Sequence, residues 1–167
     1  HTVKTYIDFL EEAFLIRRLH PFHFNVKKRL VKSPKVYVRD PGILHRLLKI
    51  SDFEQLLGSP FLGGSWENFV IEQISSIISD SYDLFFYRTY HGAEVDLVFV
   101  KGLKPVATAE IKFSSAPKLS RGFLSCIEDL QTKKNFVIIP NTDKYPAKQN
   151  VWVVSLAEFL KEELHKM

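Results

Sequence analysis

An α/β fold is predicted, a mixed sheet flanked by helices and preceded by a small helix-and-wing module, and three observations predict it. Two apolar runs, residues 94–100 and 106–112, are rich in Val, Ile and Phe and are joined by Lys101-Gly102-Leu103-Lys104-Pro105, the pattern of a β-hairpin. Apolar stripes at helical spacing lie on either side of it, Ile71, Ile74 and Ile78 before and Leu119, Phe123, Cys126, Ile127 and Leu130 after. Further short strands follow at 136–139 and 151–154. The sequence signs of a boundary, Gly58-Ser59-Pro60 and Gly63-Gly64, divide the chain into a module over 1–58 and a larger domain over 59–167.

The 167 residues suffice for one well-buried core with a small appendage. No apolar run is long enough to cross a membrane and no signal-peptide pattern opens the chain, so a cytoplasmic protein with no membrane association is expected. The lone cysteine, Cys126, excludes an internal disulfide and falls on a helix's apolar stripe, where it reads as core. The net charge of +4 is unevenly spread: between Arg17 and Lys49 basic residues stand against a lone Asp40.

In chain order, Val3, Tyr6, Ile7 and Leu10 predict an amphipathic helix that starts abruptly, as in a fragment of a longer protein. Residues 14–19, 30–31 and 36–38 read as strands, giving a partial winged-helix-like module. The helix's polar face carries Asp8, Glu11 and Glu12, which argues against insertion into a DNA groove. Lys27, Lys28, Arg29, Lys32 and Lys35 on the wing are the candidate nonspecific phosphate contacts, against the alternative of a solvated basic face. Asp40-Pro41 caps a helix, and a short one follows over 52–57. Ser65 is the expected cap of the next, running to about residue 79, with Glu67 heading its buried isoleucine stripe. A strand over 84–89 leads into the hairpin, and Ser155-x-x-Glu158 opens the last helix as a capping box.

The hairpin carries charge where a core strand wants apolar residues. With a three-residue loop over Gly102, Leu103 and Lys104, Asp96 lies opposite Glu110 and Glu94 opposite Lys112. Facing carboxylates destabilise a sheet unless a cation neutralises them, which a hard divalent ion would do. Asp96 and Glu110 are oxygen ligands suited to Mg²⁺, with Mn²⁺ as a substitute, the Ile111 carbonyl is a further donor, and Lys112 is placed to stabilise developing charge. A cross-strand Glu94–Lys112 ion pair on a solvated face is the structural alternative.

Glu67 on a helix, Asp96 on the second following strand and Glu110-x-Lys112 on the third resemble the PD-(D/E)xK nuclease superfamily over roughly residues 60–140. The runs Lys32-Ser33-Pro34-Lys35-Val36-Tyr37, Asp40-Pro41-Gly42, Gly64-Ser65-Trp66-Glu67-Asn68-Phe69-Val70, Gly92-Ala93-Glu94-Val95-Asp96 and Glu110-Ile111-Lys112 further resemble the C-terminal domain of unknown function in prokaryotic AAA-type ATPases. That resemblance implies an N-terminal ATPase module, whose Gly-x4-Gly-Lys-Ser/Thr phosphate loop does not occur in this sequence. Two functions are therefore expected: Mg²⁺-dependent phosphodiester hydrolysis on DNA by Glu67, Asp96, Glu110 and Lys112, or a noncatalytic DNA- or protein-docking module of the ATPase.

Overall fold

The computed structural model describes residues 2–23, 29–148 and 150–167. Helix α1 (Thr2–Glu12) leads to an antiparallel pair, β1 (Ile16–Leu19) and β2 (Lys35–Val38). Helices α2 (Pro41–Leu47) and α3 (Phe53–Leu57) follow, each started by an aspartate whose side chain accepts backbone N–H groups: Asp40 from Gly42 and Ile43, and Asp52 from Gln55. The long helix α4 (Leu62–Ile77) then precedes strands β3 (Asp83–Arg88), β4 (Glu94–Lys101) and β5 (Lys104–Ile111). Helix α5 (Arg121–Leu130) crosses to β6 (Lys134–Ile139), and β7 (Tyr145–Lys148) and β8 (Val151–Ser155) complete the strands. The Ser155 hydroxyl accepts the Glu158 N–H to start α6 (Leu156–Glu158), which continues as a π turn over Phe159–Glu163 and a 3₁₀ turn over Leu164–Lys166.

Six strands form a mixed sheet in the order β3-β4-β5-β6-β8-β7. The first three run antiparallel, β5, β6 and β8 run parallel, and β7 returns antiparallel along β8. Strand β7 escapes the sequence reading because Tyr145-Pro146-Ala147-Lys148 is exposed on both faces, as an edge strand with a proline is. Both sheet faces are covered. On one, Leu97, Phe99, Ala107, Ala109, Ile111, Phe136 and Ile138 pack with Val70, Ile71 and Ile74 of α4 and Phe159 of the last helix. On the other, Tyr87, Val95, Val98, Val100, Val137 and Ile139 pack with Phe123, Cys126 and Leu130 of α5, so Cys126 is core as expected. No described helix is long and apolar enough to cross a membrane.

Several local expectations change. Ser65 does not cap α4: the helix begins at Leu62, Gly63 and Gly64 lie in its first turn, and the buried Ser65 hydroxyl meets His45 Nε2 at 2.5 Å. Phe14 has φ +57° and ends the first helical segment, so strand geometry starts only at Ile16. Leu30 makes a single bridge to Thr89 and no longer strand forms there. Within the strand expected over 151–154, Trp152 is 38% exposed beneath the Lys144 ammonium. The apolar face of α1 is largely uncovered: Val3, Tyr6 and Phe9 are exposed, and no residue of the helix is buried.

The N-terminal strand pair shares the main core, because Leu19 and Tyr37 are buried with α4 and the sheet. Glu72 of α4 reinforces the junction. Its buried carboxylate is bridged by Arg17 Nε at 2.5 Å and Arg39 Nε at 3.3 Å, one cation following β2 and one on β1. Removing that charge leaves the two guanidinium groups facing each other over a partly desolvated spot. Glu72→Gln is expected to lower stability by about 1–3 kcal/mol, read as a shift in the urea midpoint with an unchanged denaturant slope; an unchanged midpoint would show the triad to be dispensable.

Candidate functional site

The site forms where β2, the start of α4 and the start of β4 meet. The stripe that carries Ile71 and Ile74 into the core begins with Glu67, which therefore points at the sheet as its spacing predicts. Lys35 and Tyr37 alternate on β2 and reach toward the same point. The Glu67 carboxylate accepts hydrogen bonds from Lys35 Nζ at 2.9 Å and the Tyr37 hydroxyl at 2.5 Å.

A bulge decides which acids join them. Phe85 pairs with Val98 but Tyr87 pairs with Val95, so Asp96 and Leu97 together stand opposite Phe86. An extra residue of this kind breaks the alternation of side chains along a strand. Val95 and Val98 accordingly share the α5 face, and Glu94 and Asp96 turn to the α4 face. Lys35 Nζ lies 2.7 Å from Glu94 and 3.2 Å from Asp96 and sits 5.5 Å from the centre of the Phe86 ring. One ammonium thus serves three carboxylates from two elements. Arg88 adds a second cation, 3.4 Å from Glu94.

The remaining predicted residues gather on the opposite face. From Leu97↔Ala109 to Phe99↔Ala107 the hairpin keeps the register expected from the sequence, although its loop is the two residues Gly102 and Leu103 and a shift beyond Phe99 makes up the difference. That register does not bring Asp96 and Glu110 together, because the bulge rotates Asp96 away. Glu110 pairs with Lys112 at 3.1 Å and accepts from the Ser120 hydroxyl at 3.3 Å, while its Oε2 is buried without a hydrogen bond. Lys112 also donates to the Lys118 carbonyl at 2.5 Å. The Glu94–Lys112 ion pair weighed as the alternative does not form; the pairs are Glu94–Lys35 and Glu110–Lys112. Ile111 meets Asp96 through its N–H, which donates to Asp96 Oδ2 at 2.9 Å.

These donors do not fit a divalent ion as they stand. The centre of the Glu67, Glu94 and Asp96 group holds the Lys35 ammonium, Glu110 is committed elsewhere, and among the described residues no group of three or more acidic, His or Cys side chains is arranged to hold a metal. Of the five basic residues proposed as phosphate contacts, Lys27 and Lys28 lie outside the described residues, and Lys35 has its charge engaged by the acids. Arg29 and Lys32 line an open cavity. Glu94, expected opposite Lys112, joins Glu67 and Asp96 instead, and Lys35 and Tyr37 as partners of these acids are what the sequence reading missed. Their signal was the alternation of a cation and a hydroxyl on one face of a strand.

Burial shapes the ionisation. Desolvation, reinforced by the nearby Glu67 charge and opposed by Lys35, pushes the Asp96 carboxyl up to about 6. Burial works against the Lys35 ammonium, but the pull of Asp96, Glu67 and Glu94 prevails and raises its pKa. Tyr37 is held neutral by burial and by the Glu67 carboxylate. Glu110 is raised by burial, with Lys112 and Ser120 opposing.

Two described families match parts of the chain. Residues 62–159 match a family described as Domain of unknown function (DUF4143), and residues 1–54 match Domain of unknown function (DUF8612). The chain belongs to the DUF4143 family. Uncharacterized proteins of Mycobacterium tuberculosis and Mycobacterium bovis are each 38% identical over 159 residues, which is 95% of this chain and 36% of each relative. The chain therefore spans little more than a third of those relatives. A solved half-complex of Thermococcus gammatolerans McrB AAA+ hexamers with bound McrC contains a chain that aligns with 98% of this one and 66% of itself, at a TM-score of 0.44 and 10% identity.

Two outcomes test the acid cluster. Between about pH 4 and pH 6 the folded protein keeps a proton on Asp96 that the unfolded chain, titrating near 3.8, has released; stability attributable to Asp96 therefore falls as pH rises through that window, by roughly 2–3 kcal/mol, and is flat above it. Denaturation of Asp96→Asn across the same range should lack that fall, and a parallel fall in both proteins would assign it elsewhere. Lys35→Ala leaves three acids in mutual repulsion and is expected to cost about 3 kcal/mol at pH 7 and distinctly less near pH 5, measured by urea midpoints at both pH values.

Proposed function

We propose that this member of the DUF4143 family is a noncatalytic docking domain of an AAA-type ATPase, built on a PD-(D/E)xK-like core and seated against the rest of its own polypeptide. The exposed face of α1 is the observation that carries this reading. Val3, Tyr6 and Phe9 are 72%, 67% and 63% exposed, and Phe14 just beyond the helix is 73% exposed. An apolar patch of this kind on a soluble surface marks a contact site, since leaving it in water forgoes about 25 cal/mol per Å². The relatives carry nearly two thirds of their length outside the matched span, which supplies the occupant within the same chain. The Lys35 ammonium among Glu67, Glu94 and Asp96 supports a structural role for those acids.

A second reading keeps Glu67, Asp96, Glu110 and Lys112 as the machinery of Mg²⁺-dependent DNA hydrolysis. One observation favours it: Glu110 Oε2 is buried with no hydrogen-bond partner, a costly state for a carboxylate that serves only packing. It requires Lys35 to leave the acids and Glu110 to turn toward Asp96.

Hydroxyl-radical footprinting of the full-length protein tests the docking reading, with Tyr90, itself 63% exposed, as the internal standard. Tyr6 and Phe9 are expected to be oxidised several-fold more slowly than their exposure here implies; rates matching that of Tyr90 would overturn it. Incubation with single- and double-stranded DNA and Mg²⁺ or Mn²⁺ is expected to yield no cleavage, and cleavage abolished by Asp96→Asn would replace docking with hydrolysis.

A further inference from the structure

On the flank of the sheet, residues 29–32 run beside the end of β3. The Tyr90 N–H donates to the Arg29 carbonyl at 2.8 Å, Leu30 bridges Thr89, and the Val31 N–H donates to the Arg88 carbonyl at 3.0 Å. These backbone bonds hold the side chains around a cavity of about 610 Å³ lined by His23, Arg29, Leu30, Val31, Lys32 and Tyr90. Its size is that of a pocket for one drug-sized or nucleotide-sized group. Among the described residues no acid lines it and neither Arg29 nor Lys32 has a carboxylate partner, unlike Arg17, Arg18, Lys35 and Arg39. The Arg29 guanidinium lies 4.6 Å from the centre of the Tyr90 ring, and the ring remains 63% exposed, with His91 edge-on to it at 6.0 Å.

We propose that this cavity binds single-stranded nucleic acid, taking one unstacked base against the Tyr90–Arg29 platform and the flanking phosphates on Arg29 and Lys32. Flat aromatic and guanidinium faces accept any base by stacking, and cations without a carboxylate partner attract the backbone through counterion release. A duplex offers only phosphates here, because its base faces are already stacked. An acidic peptide offers carboxylates but no ring for Tyr90. The inference goes beyond docking to the ATPase module and does not depend on it, since the two surfaces carry different residues.

Fluorescence anisotropy of the full-length protein with a labelled oligothymidine of about 15 nucleotides tests it. Single strand is expected to bind more tightly than a duplex of equal length or a polyglutamate peptide. Tyr90→Ala should lose about tenfold or more in affinity while Tyr90→Phe keeps it, and Arg29→Ala and Lys32→Ala should each lower the salt slope by about 0.7. Equal binding of the duplex or of polyglutamate, or wild-type affinity in Tyr90→Ala with unchanged circular dichroism, would overturn the assignment. Such a result leaves the footprint at Tyr6 and Phe9 unaffected, so the two failures are distinguishable.

Discussion

The Lys35 ammonium among Glu67, Glu94 and Asp96 is the constraint on which the rest of the arrangement turns. Three acids from α4 and β4 converge on the inner side of the sheet, and without a cation their repulsion would oppose the packing that brings α4 onto β4. The cation comes from β2, in the N-terminal half of the chain. Charge neutralisation and docking of the β1–β2 pair are thus one event, reinforced by Leu19 and Tyr37 in the core and by the Arg17–Glu72–Arg39 triad. Surface ion pairs contribute little; this group is partly desolvated, and there the loss of one partner weighs more than the pair's own contribution.

The same geometry shapes what the acids can do. A metal-dependent hydrolytic site needs carboxylates from adjacent strands aimed at one point. Here one bulge in β4 sends Asp96 toward Lys35, while Glu110 remains across the sheet with Lys112 and Ser120. The contact between the two strands' machinery is reduced to the Ile111 N–H on Asp96. The acids nearest β2 are thereby held in a charge network with Lys35, and fold alone does not carry activity. The docking face proposed on α1 and the nucleic-acid cavity proposed beside Tyr90 are built from other residues than these acids.

The architecture was largely legible in the sequence because its signals are local. Asp40 and Ser155 cap their helices through side chains that bond N–H groups two or three residues on, and apolar periodicity marks α4, α5 and strands β3 to β6 and β8. The inward direction of Glu67 followed from helical spacing alone, and the hairpin register near Leu97 from counting across its turn. Exposed or non-local features were not legible: β7 has no buried face to leave a pattern, and the apolar face of α1 has the periodicity of a core face although Val3, Tyr6 and Phe9 are exposed.

By itself, then, the sequence determined most of the helices and strands, the burial of Cys126 and the inward direction of Glu67, all consequences of spacing along the chain. Only the tertiary structure decided that Lys35 belongs to those acids and that Asp96 and Glu110 part company. Each depends on contacts between residues far apart in sequence, Lys35 with Asp96 and Phe86 with the bulged pair Asp96-Leu97, and no pattern within a single strand encodes which distant cation will meet a buried carboxylate.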